Sequence, residues 1–202
     1  MKRRHLFITF EGVEKSGKST HIKNVEKFLL QRNLKVKSFR EPGSTKIGEK
    51  IRRLLLTPEN DMHPFTEFLL YAAARAQFVK EVLSKALKTY DVVLSDRFYD
   101  STLVYQGYAL GLGLKEIKPI VEFLSFYIKP DLTFILDSRP EETLAGARKK
   151  DRIERRSLEF HRRVRKGYLL LAKMEPERIK IVRRRSKEEV EKEIISYIER
   201  LI

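Results

Sequence analysis

Short apolar runs alternate with longer amphipathic stretches along this chain. Five of the runs have the length and apolar content of strands, the second being the most polar. Continuous apolar runs of this kind are typical of strands buried on both faces of a parallel sheet. We predict strands at residues 6–10, 35–39, 91–95, 132–136 and 179–182.

The stretches between these runs have helical spacing. From Pro64 to Ala86, apolar side chains recur every three or four residues. Another helix begins at Pro140, and Ser186 with Glu189 forms a capping box for the last helix. This last helix is predicted at residues 190–202, and further helices are predicted at residues 22–29, 47–56, 101–108, 114–128 and 158–171. Strands that alternate with helices predict an α/β fold, with a five-stranded parallel sheet flanked by helices.

The first predicted strand runs directly into a glycine-rich loop. Residues 12–19 match the Walker A pattern G-x-x-x-x-G-K-[ST], with a strand before them and a helix after them. Backbone N–H groups in such a loop, with the positive end of the helix, bind phosphate, so the pattern predicts a three-layer P-loop NTPase fold. Lys18 can reach the β- and γ-phosphates. The predicted ATP-binding residues are Gly12, Val13, Glu14, Lys15, Ser16, Gly17, Lys18, Ser19 and Thr20.

The third predicted strand ends in Asp96-Arg97. Ligand sites of parallel sheets lie beyond the carboxyl ends of the strands, so we predict that Asp96 and the Ser19 hydroxyl hold Mg²⁺. In many hydrolytic P-loop ATPases, an acidic residue that primes water follows this aspartate. Here Arg97 takes that place and would neutralise phosphate, which favours transfer to a second phosphate-bearing molecule over hydrolysis.

The composition indicates one globular domain spanning residues 1–202. Hydrophobic residues make up 42% of the chain, and the absence of cysteine excludes disulfides. The apolar run after Arg4 ends at Glu11, too short for a signal peptide, and no run approaches the roughly 20 apolar residues of a membrane-spanning helix. We therefore expect a soluble, cytoplasmic protein without a membrane partner.

Positive charge exceeds negative charge, with 43 Lys and Arg against 28 Asp and Glu. A solvated surface and polyanionic small substrates account for this excess, so binding to nucleic acid is not the favoured interpretation. The basic residues are densest between Arg148 and Lys166. Residues 143–156, which include Gly146 and follow the fourth predicted strand, are predicted to form a mobile lid over the triphosphate.

Six short motifs add to this pattern, and they are Phe10-Glu11-Gly12, Arg40-Glu41-Pro42-Gly43, Ala73-Ala74-Arg75, Asp96-Arg97-Phe98, Tyr105-Gln106-Gly107 and Asp151-Arg152-Ile153-Glu154. In order and spacing they resemble the thymidylate kinase family over nearly the whole chain. No single motif is specific, but the set is, because other nucleoside monophosphate kinases have different acceptor motifs. The resemblance implies that the γ-phosphoryl group of ATP passes to dTMP with Mg²⁺, a step in dTTP synthesis, and that the protein is a homodimer.

The resemblance also implies roles for individual residues. Glu14 would bind the 3′-hydroxyl of the acceptor, and Tyr71 stands where the family usually has a phenylalanine stacked on thymine. Arg75 and Arg97 would hold the acceptor phosphate, or thymine in the case of Arg75. Tyr105 would lie under the deoxyribose and exclude a 2′-hydroxyl. The dTMP-binding residues implied are Glu14, Glu41, Tyr71, Arg75, Arg97, Ser101, Tyr105 and Gln106.

Two styles of catalytic site occur in the resembled family. One has a basic residue in the phosphate loop, and the other has a lid that carries arginines. This chain has both, and our hypothesis is that Arg152 first and Arg148 second stabilise the moving phosphoryl group, with Lys15 auxiliary. The predicted catalytic residues are Lys18, Arg97, Arg152, Arg148 and Lys15.

Two other functions remain open at this stage. One is a related P-loop phosphotransferase with another nucleotide or nucleoside as acceptor, for example dUMP. The other is a weakly hydrolytic or non-enzymatic P-loop protein whose charge binds nucleic acid. The intact Lys18 and the Asp96-Arg97 pair argue against the second alternative. Contacts to the adenine of ATP, near residues 183–185, are left open as well.

Overall fold

The computed structural model describes residues 5–145 and 151–202. The predicted catalytic residue Arg148 and part of the predicted lid lie outside these ranges. Within them, five strands form one parallel sheet in the order β2-β3-β1-β4-β5. The strands are β1 (Leu6–Glu11), β2 (Val36–Arg40), β3 (Val92–Asp96), β4 (Leu132–Asp137) and β5 (Ile179–Arg183). The predicted five-stranded parallel sheet is therefore confirmed.

Helices connect the strands. They are α1 (Lys18–Gln31), α2 (Lys46–Leu56), α3 (Pro64–Phe78), α4 (Ser84–Thr89), α5 (Tyr99–Thr102), α6 (Leu114–Leu124), α7 (Pro140–Thr143), α8 (Leu158–Met174) and α9 (Lys187–Glu199). A π-helical turn, Val79–Leu83, joins α3 to α4, and a π-helical segment, Leu103–Ala109, continues α5. The predicted capping box of Ser186 and Glu189 begins α9.

The sheet is covered on both faces. Ile22, Val25 and Leu29 of α1, together with α9, pack against one face. Helices α3, α6 and α8 and the π-helical segment pack against the other face, where Phe7 and Val93 lie at the centre. Each strand contributes alternate side chains to the two cores, because successive side chains of a strand point to opposite faces. The result is the three-layer α/β architecture expected from the sequence.

Two of the predicted helices, at residues 114–128 and at Pro140, end earlier than their patterns indicate. Helix α6 ends at Leu124, although its pattern predicted a helix to residue 128. Phe126 and Tyr127 have φ values of 52° and 56°, a left-handed conformation that stops a right-handed helix. The helix at Pro140 is also short and ends at Thr143.

The order of the strands places the phosphate loop. From β1 the chain first builds β2 and β3 on one side, and it then crosses over to build β4 and β5 on the other side. In open α/β sheets, ligands bind beyond the carboxyl ends of the strands where the winding direction reverses. The loop that follows β1 occupies this position.

Candidate active site

The phosphate loop is shaped by its glycines. Gly12 has a φ of 138°, and a Cβ atom there would lie 2.7 Å from the carbonyl oxygen of Leu136. Gly17, at φ 95°, is the left-handed residue that precedes α1. The hydroxyl oxygen of Ser16 is buried and has no hydrogen-bond partner among the described residues. The loop therefore has the tight curl and an unpaired polar group that suit a bound phosphate.

Lys18 lies across this loop and is buried. Its Nζ donates to the carbonyl oxygens of Val13, at 3.0 Å, and Gly12, at 3.3 Å. Burial, together with the positive charge of Arg97, lowers the pKa of Lys18 to about 8, against the opposing pull of Asp96. An anion in the loop would stabilise the ammonium form, so Lys18 is placed to bind phosphate.

Ser19 and Asp96 meet where β3 and α1 come together. The Ser19 hydroxyl donates to Asp96 Oδ2 over 2.9 Å. Among the described residues, no group of three or more His, Cys, Asp or Glu side chains could hold a metal ion by itself. Mg²⁺ does not need such a group, because it usually takes one or two carboxylates, nucleotide phosphates and water. The two oxygen donors therefore fit the magnesium site predicted for them.

A central cavity of about 360 Å³ opens beside the loop. It is lined by residues of the phosphate loop, of the segment from β2 to α2, of α3 and of the end of β3, and by residues 101, 102, 105, 106, 151, 153 and 154. The predicted site residues among them are Glu14, Lys15, Lys18, Ser19, Glu41, Tyr71, Asp96, Arg97, Ser101, Tyr105 and Gln106. The structure thus brings together most of the residues predicted separately for ATP, metal and acceptor binding.

Glu14 is one of the loop residues that line the central cavity. Its Oε1 accepts from Tyr105 at 2.6 Å and from Arg97 at 3.1 Å. Its Oε2 lies 3.3 Å from Nδ1 of the buried His161, which the sequence analysis missed. Burial raises the pKa of Glu14, but His161, Arg97 and Lys18 outweigh it and lower this pKa to about 2. Glu14 is therefore a fixed anion in this cavity.

Arg97 is held from several sides. Its guanidinium donates to Ser101 Oγ and Tyr168 OH, each at 3.0 Å, in addition to Glu14 and Tyr105. Its backbone has a φ of 72°, and its N–H donates to the carbonyl oxygen of Phe10. This left-handed residue directly after β3 turns the guanidinium towards the phosphate loop, where a positive charge can meet a phosphate.

Glu11 supports the same network from the end of β1. Its Oε1 accepts from the Phe98 N–H at 2.8 Å, and its Oε2 accepts from Ser101 Oγ at 2.5 Å and Tyr168 OH at 2.8 Å. Burial raises the pKa of Glu11 to about 7, against the opposing effect of Arg97. Glu11 and Tyr168 fix the positions of Ser101 and Arg97, and neither was predicted as a site residue.

Arg75 has a different position from the one its predicted role suggests. Its side chain is 3% exposed, donates to Glu41, Thr102 Oγ1 and the carbonyl oxygen of Phe98, and does not line the central cavity. Another arginine, Arg52 of α2, does line it and donates to the carbonyl oxygen of Pro42. The predicted contact of Arg75 with the acceptor remains a prediction.

The predicted lid residues are tied to the helices around the cavity. Arg152 is buried, with Nε donating to the carbonyl oxygen of Leu55 and Nη2 paired with Glu67 at 2.7 Å. It does not line the central cavity. Lys15 does, and its Nζ lies 3.4 Å from Glu154 Oε2. Only Lys15 of these two candidates faces the cavity in this conformation.

An outer cavity of about 190 Å³ lies on the other side of the loop. It shares Lys15, Ser16 and Gly17 with the loop and reaches β5, α9 and residues 183–185. His21 of α1 is also part of its wall. Thr20, predicted to bind ATP, is exposed on the first turn of α1 and lines neither cavity.

A phosphate loop at the switch point of a parallel sheet, with a cavity on each side, defines a P-loop nucleotide kinase. The sequence model of the family "Thymidylate kinase" matches residues 10–194. This chain belongs to the thymidylate kinase family, and the predicted family, fold class and enzyme class are confirmed.

Individual relatives agree with the family match. A thymidylate kinase of Thermoanaerobacter sp. (strain X514) is 47% identical over 174 residues, which cover 85% of this chain and 86% of the relative. A thymidylate kinase of Symbiobacterium thermophilum is 46% identical over 201 residues, 98% of this chain and 94% of the relative. The crystal structure of thymidylate kinase from Ehrlichia chaffeensis has a TM-score of 0.78 at 30% identity and covers 96% of this chain and 98% of that one.

Proposed function

We propose that this protein transfers the γ-phosphoryl group of ATP to dTMP in the presence of Mg²⁺, giving ADP and dTDP for the synthesis of dTTP. One observation carries the proposal, namely that two cavities flank one phosphate loop. ATP in the outer cavity and a nucleoside monophosphate in the central cavity would meet phosphate to phosphate over Lys18. Phosphoryl transfer requires mainly this positioning, together with cations near the transferred group.

The residues of the loop would handle the donor. Lys18 would leave the carbonyl oxygens of Gly12 and Val13 and bind the β- and γ-phosphates. Ser19 and Asp96 would hold Mg²⁺, which neutralises charge on the phosphates when bound. The adenine would occupy the outer cavity, where His21 and residues 183–185 form the wall.

The central cavity would bind the acceptor. Arg97 is held by four neighbours and would present its guanidinium to the acceptor phosphate. Glu14, a fixed anion, would accept a hydrogen bond from the 3′-hydroxyl of the sugar. Tyr105, bonded to Glu14, would close the space beside C2′ and so exclude ribonucleotides. Tyr71 and Gln106 would contact the thymine, with Glu41, Ser101 and Arg75 supporting the wall.

We also propose that Arg152 and Arg148 stabilise the transferred group and that Lys15 assists them. For Arg152 this requires release from Glu67 and Leu55 when both substrates are bound. An arginine that arrives only then would protect ATP from hydrolysis before dTMP binds.

The proposal includes a homodimer and a cytoplasmic location. Helices α2 and α3 pack on each other and expose large apolar side chains, among them Phe65 and Leu69 at 53% and 58% exposure. Apolar patches of this kind often mark contacts between subunits. Within residues 5–145 and 151–202, no helix is long and apolar enough to span a membrane.

A panel of acceptors tests the proposed function. The purified protein would receive ATP, Mg²⁺ and, in separate reactions, dTMP, dUMP, dCMP, UMP or thymidine. We expect the highest kcat/KM for dTMP, a lower value for dUMP and no measurable turnover of UMP. Turnover of another acceptor that equals or exceeds that of dTMP would contradict the proposed acceptor.

A further inference from the structure

A buried carboxylate, Glu67 of α3, lies behind the central cavity and has no contact with either substrate in the reaction proposed above. Its side chain is 0% exposed. Its Oε1 accepts from Gln106 Nε2 at 2.8 Å, and its Oε2 lies 2.7 Å from Nη2 of both Arg152 and Arg156. Gln106 itself lines the central cavity. Glu67 therefore connects Gln106, in the wall of the central cavity, to two arginines of the segment that precedes α8.

In this conformation two guanidinium groups pair with the carboxylate of Glu67. A buried carboxylate is costly unless it is paired, and here Arg152 and Arg156 supply the opposite charge. Arg152 is fixed by the carbonyl oxygen of Leu55, and Arg156 lies over the ring of Phe160 at 4.7 Å from its centroid. The carboxylate is thus held in place from its Oε2 side, and Oε1 is left for Gln106.

The charge of Glu67 determines which way the amide of Gln106 faces. A carboxylate can only accept hydrogen bonds, whereas a glutamine amide has an NH₂ donor and a carbonyl acceptor on opposite branches. The NH₂ group must therefore face Glu67. The carbonyl oxygen is then the group of Gln106 that remains available to a base in the central cavity.

We propose that Glu67 is a positioning residue that sets base specificity by fixing the amide of Gln106 with its carbonyl oxygen available to the acceptor. This proposal rests on the proposed function of the site. Thymine and uracil carry an N3–H donor that matches a carbonyl oxygen. Cytosine has an unprotonated N3 acceptor, which would face the Gln106 oxygen without a hydrogen bond, and a buried polar group left unpaired is costly.

The substitution Glu67→Gln tests the proposal because it removes the charge and preserves the shape. The new amide can donate to the Gln106 oxygen, so Gln106 can turn and present its NH₂ to the base. We expect the ratio of kcat/KM for dTMP to that for dCMP to fall by about tenfold or more. The ratio for dTMP to dUMP should stay unchanged, because both bases carry N3–H.

A matched control lies farther along the same long helix. In the turn after α3, Glu81 accepts a 2.6 Å bond from Gln77 Nε2 on an exposed surface. Glu81→Gln makes the same change of charge at a Gln–Glu pair away from the cavity, and we expect both ratios to remain at the wild-type values. Gln106→Ala would also be introduced into the wild type and into the Glu67→Gln variant. We expect these two proteins to have the same dTMP to dCMP ratio, since Glu67 acts through Gln106.

The outcomes separate this proposal from the proposed function. If the wild-type protein phosphorylates dTMP and the dTMP to dCMP ratio of Glu67→Gln equals that of the wild type, the positioning role is wrong and the function stands. If the wild type does not phosphorylate dTMP, both are wrong. Should Glu67→Gln fail to fold, hydrogen exchange of the Gln106 side-chain NH₂ in the wild type decides, since the proposal requires slow exchange with and without dTMP. Fast exchange would contradict it.

Discussion

The hydroxyl of Tyr105 donates a 2.6 Å hydrogen bond to Glu14 Oε1, and this bond joins the phosphate loop to the wall of the acceptor cavity. The two residues are 91 positions apart in the sequence. A π-helical segment presents Tyr105, and the loop after β1 presents Glu14. This contact connects the sites proposed for the donor and the acceptor.

We predict that Tyr105→Phe weakens binding of dTMP while leaving the ring in place. The substitution removes the bonds to Glu14 and Arg97, and hydrogen bonds to charged groups contribute enough to raise KM for dTMP by about tenfold or more. Steady-state kinetics with dTMP varied at saturating ATP would measure the change. Tyr108→Phe, in the same segment but outside the cavity lining, is the control. An equal effect of the two substitutions would contradict this role.

The lowered pKa of Lys18 predicts a pH dependence of ATP binding. Below pH 8 the free protein has the ammonium form, which binds phosphate. The phosphates favour that form, so the pKa of Lys18 rises in the complex. Between the two pKa values, affinity should fall about tenfold for each pH unit, because binding must then take up a proton.

Titration calorimetry with the β,γ-imido analogue of ATP from pH 6.5 to 9.5 would measure this profile. Lys18→Arg is the control, because a guanidinium stays charged over the whole range. We expect the fall above pH 8 to vanish in that variant, whatever its absolute affinity. A wild-type profile that is flat to pH 9.5 would mean that the pKa of Lys18 is not lowered.

We predict that Asp96→Asn raises the concentration of Mg²⁺ needed for half-maximal rate. The neutral amide binds the hard cation less well than the carboxylate that accepts from Ser19. A Mg²⁺ titration at fixed ATP should show an increase of about tenfold or more, with Asp61→Asn, in an exposed loop, giving the wild-type curve. Identical curves for Asp96→Asn and the wild type would show that Asp96 does not bind Mg²⁺.

The roles proposed for Arg152 and Lys15 can be compared directly. We expect Arg152→Ala to lower kcat more than Lys15→Gly does. An arginine supplied to the transferred group raises kcat by about 10³-fold or more in P-loop enzymes. Thermal unfolding of both variants is needed, since Arg152 also holds Glu67 and Leu55 in place. A larger loss of kcat for Lys15→Gly would reverse the assignment.

If the protein is a homodimer, a single substitution in the interface should halve the mass of the particle in solution. Leu69→Lys places a charge within the exposed apolar patch of α2 and α3, so we expect a monomer by light scattering coupled to size exclusion. Leu30→Lys on α1 is the control, because Leu30 is exposed to a similar extent, 53% against 58%. A monomeric wild-type protein, or a dimer that survives Leu69→Lys, would contradict this interface.

The sequence predicted the sheet and the phosphate loop because their signals are local. Apolar runs identify strands wherever both faces are buried, and residues 12–19 contain the loop's whole pattern. Tyr105 and Gln106 were predicted through the family motif.

The residues that the prediction missed act over long separations in the sequence. In the sequence, nothing distinguishes Glu67, Arg52 and His161 from other polar residues of amphipathic helices. Only tertiary packing places them at the cavity or behind it. The same packing buries Arg75 against Glu41, a partner 34 residues away. The early end of α6 depends on the left-handed Phe126 and Tyr127, which no residue type in that stretch indicates.

The fate of the γ-phosphoryl group tests the central claim most directly. With ATP labelled at the γ-phosphate and Mg²⁺ present, we predict that nearly all of the released label appears in the β-phosphate of dTDP when dTMP is added. Without dTMP, little inorganic phosphate should form, because Arg97 follows Asp96 where hydrolytic P-loop ATPases have an acidic residue. Label released mainly as inorganic phosphate, at a rate independent of dTMP, would show a hydrolase and contradict the account.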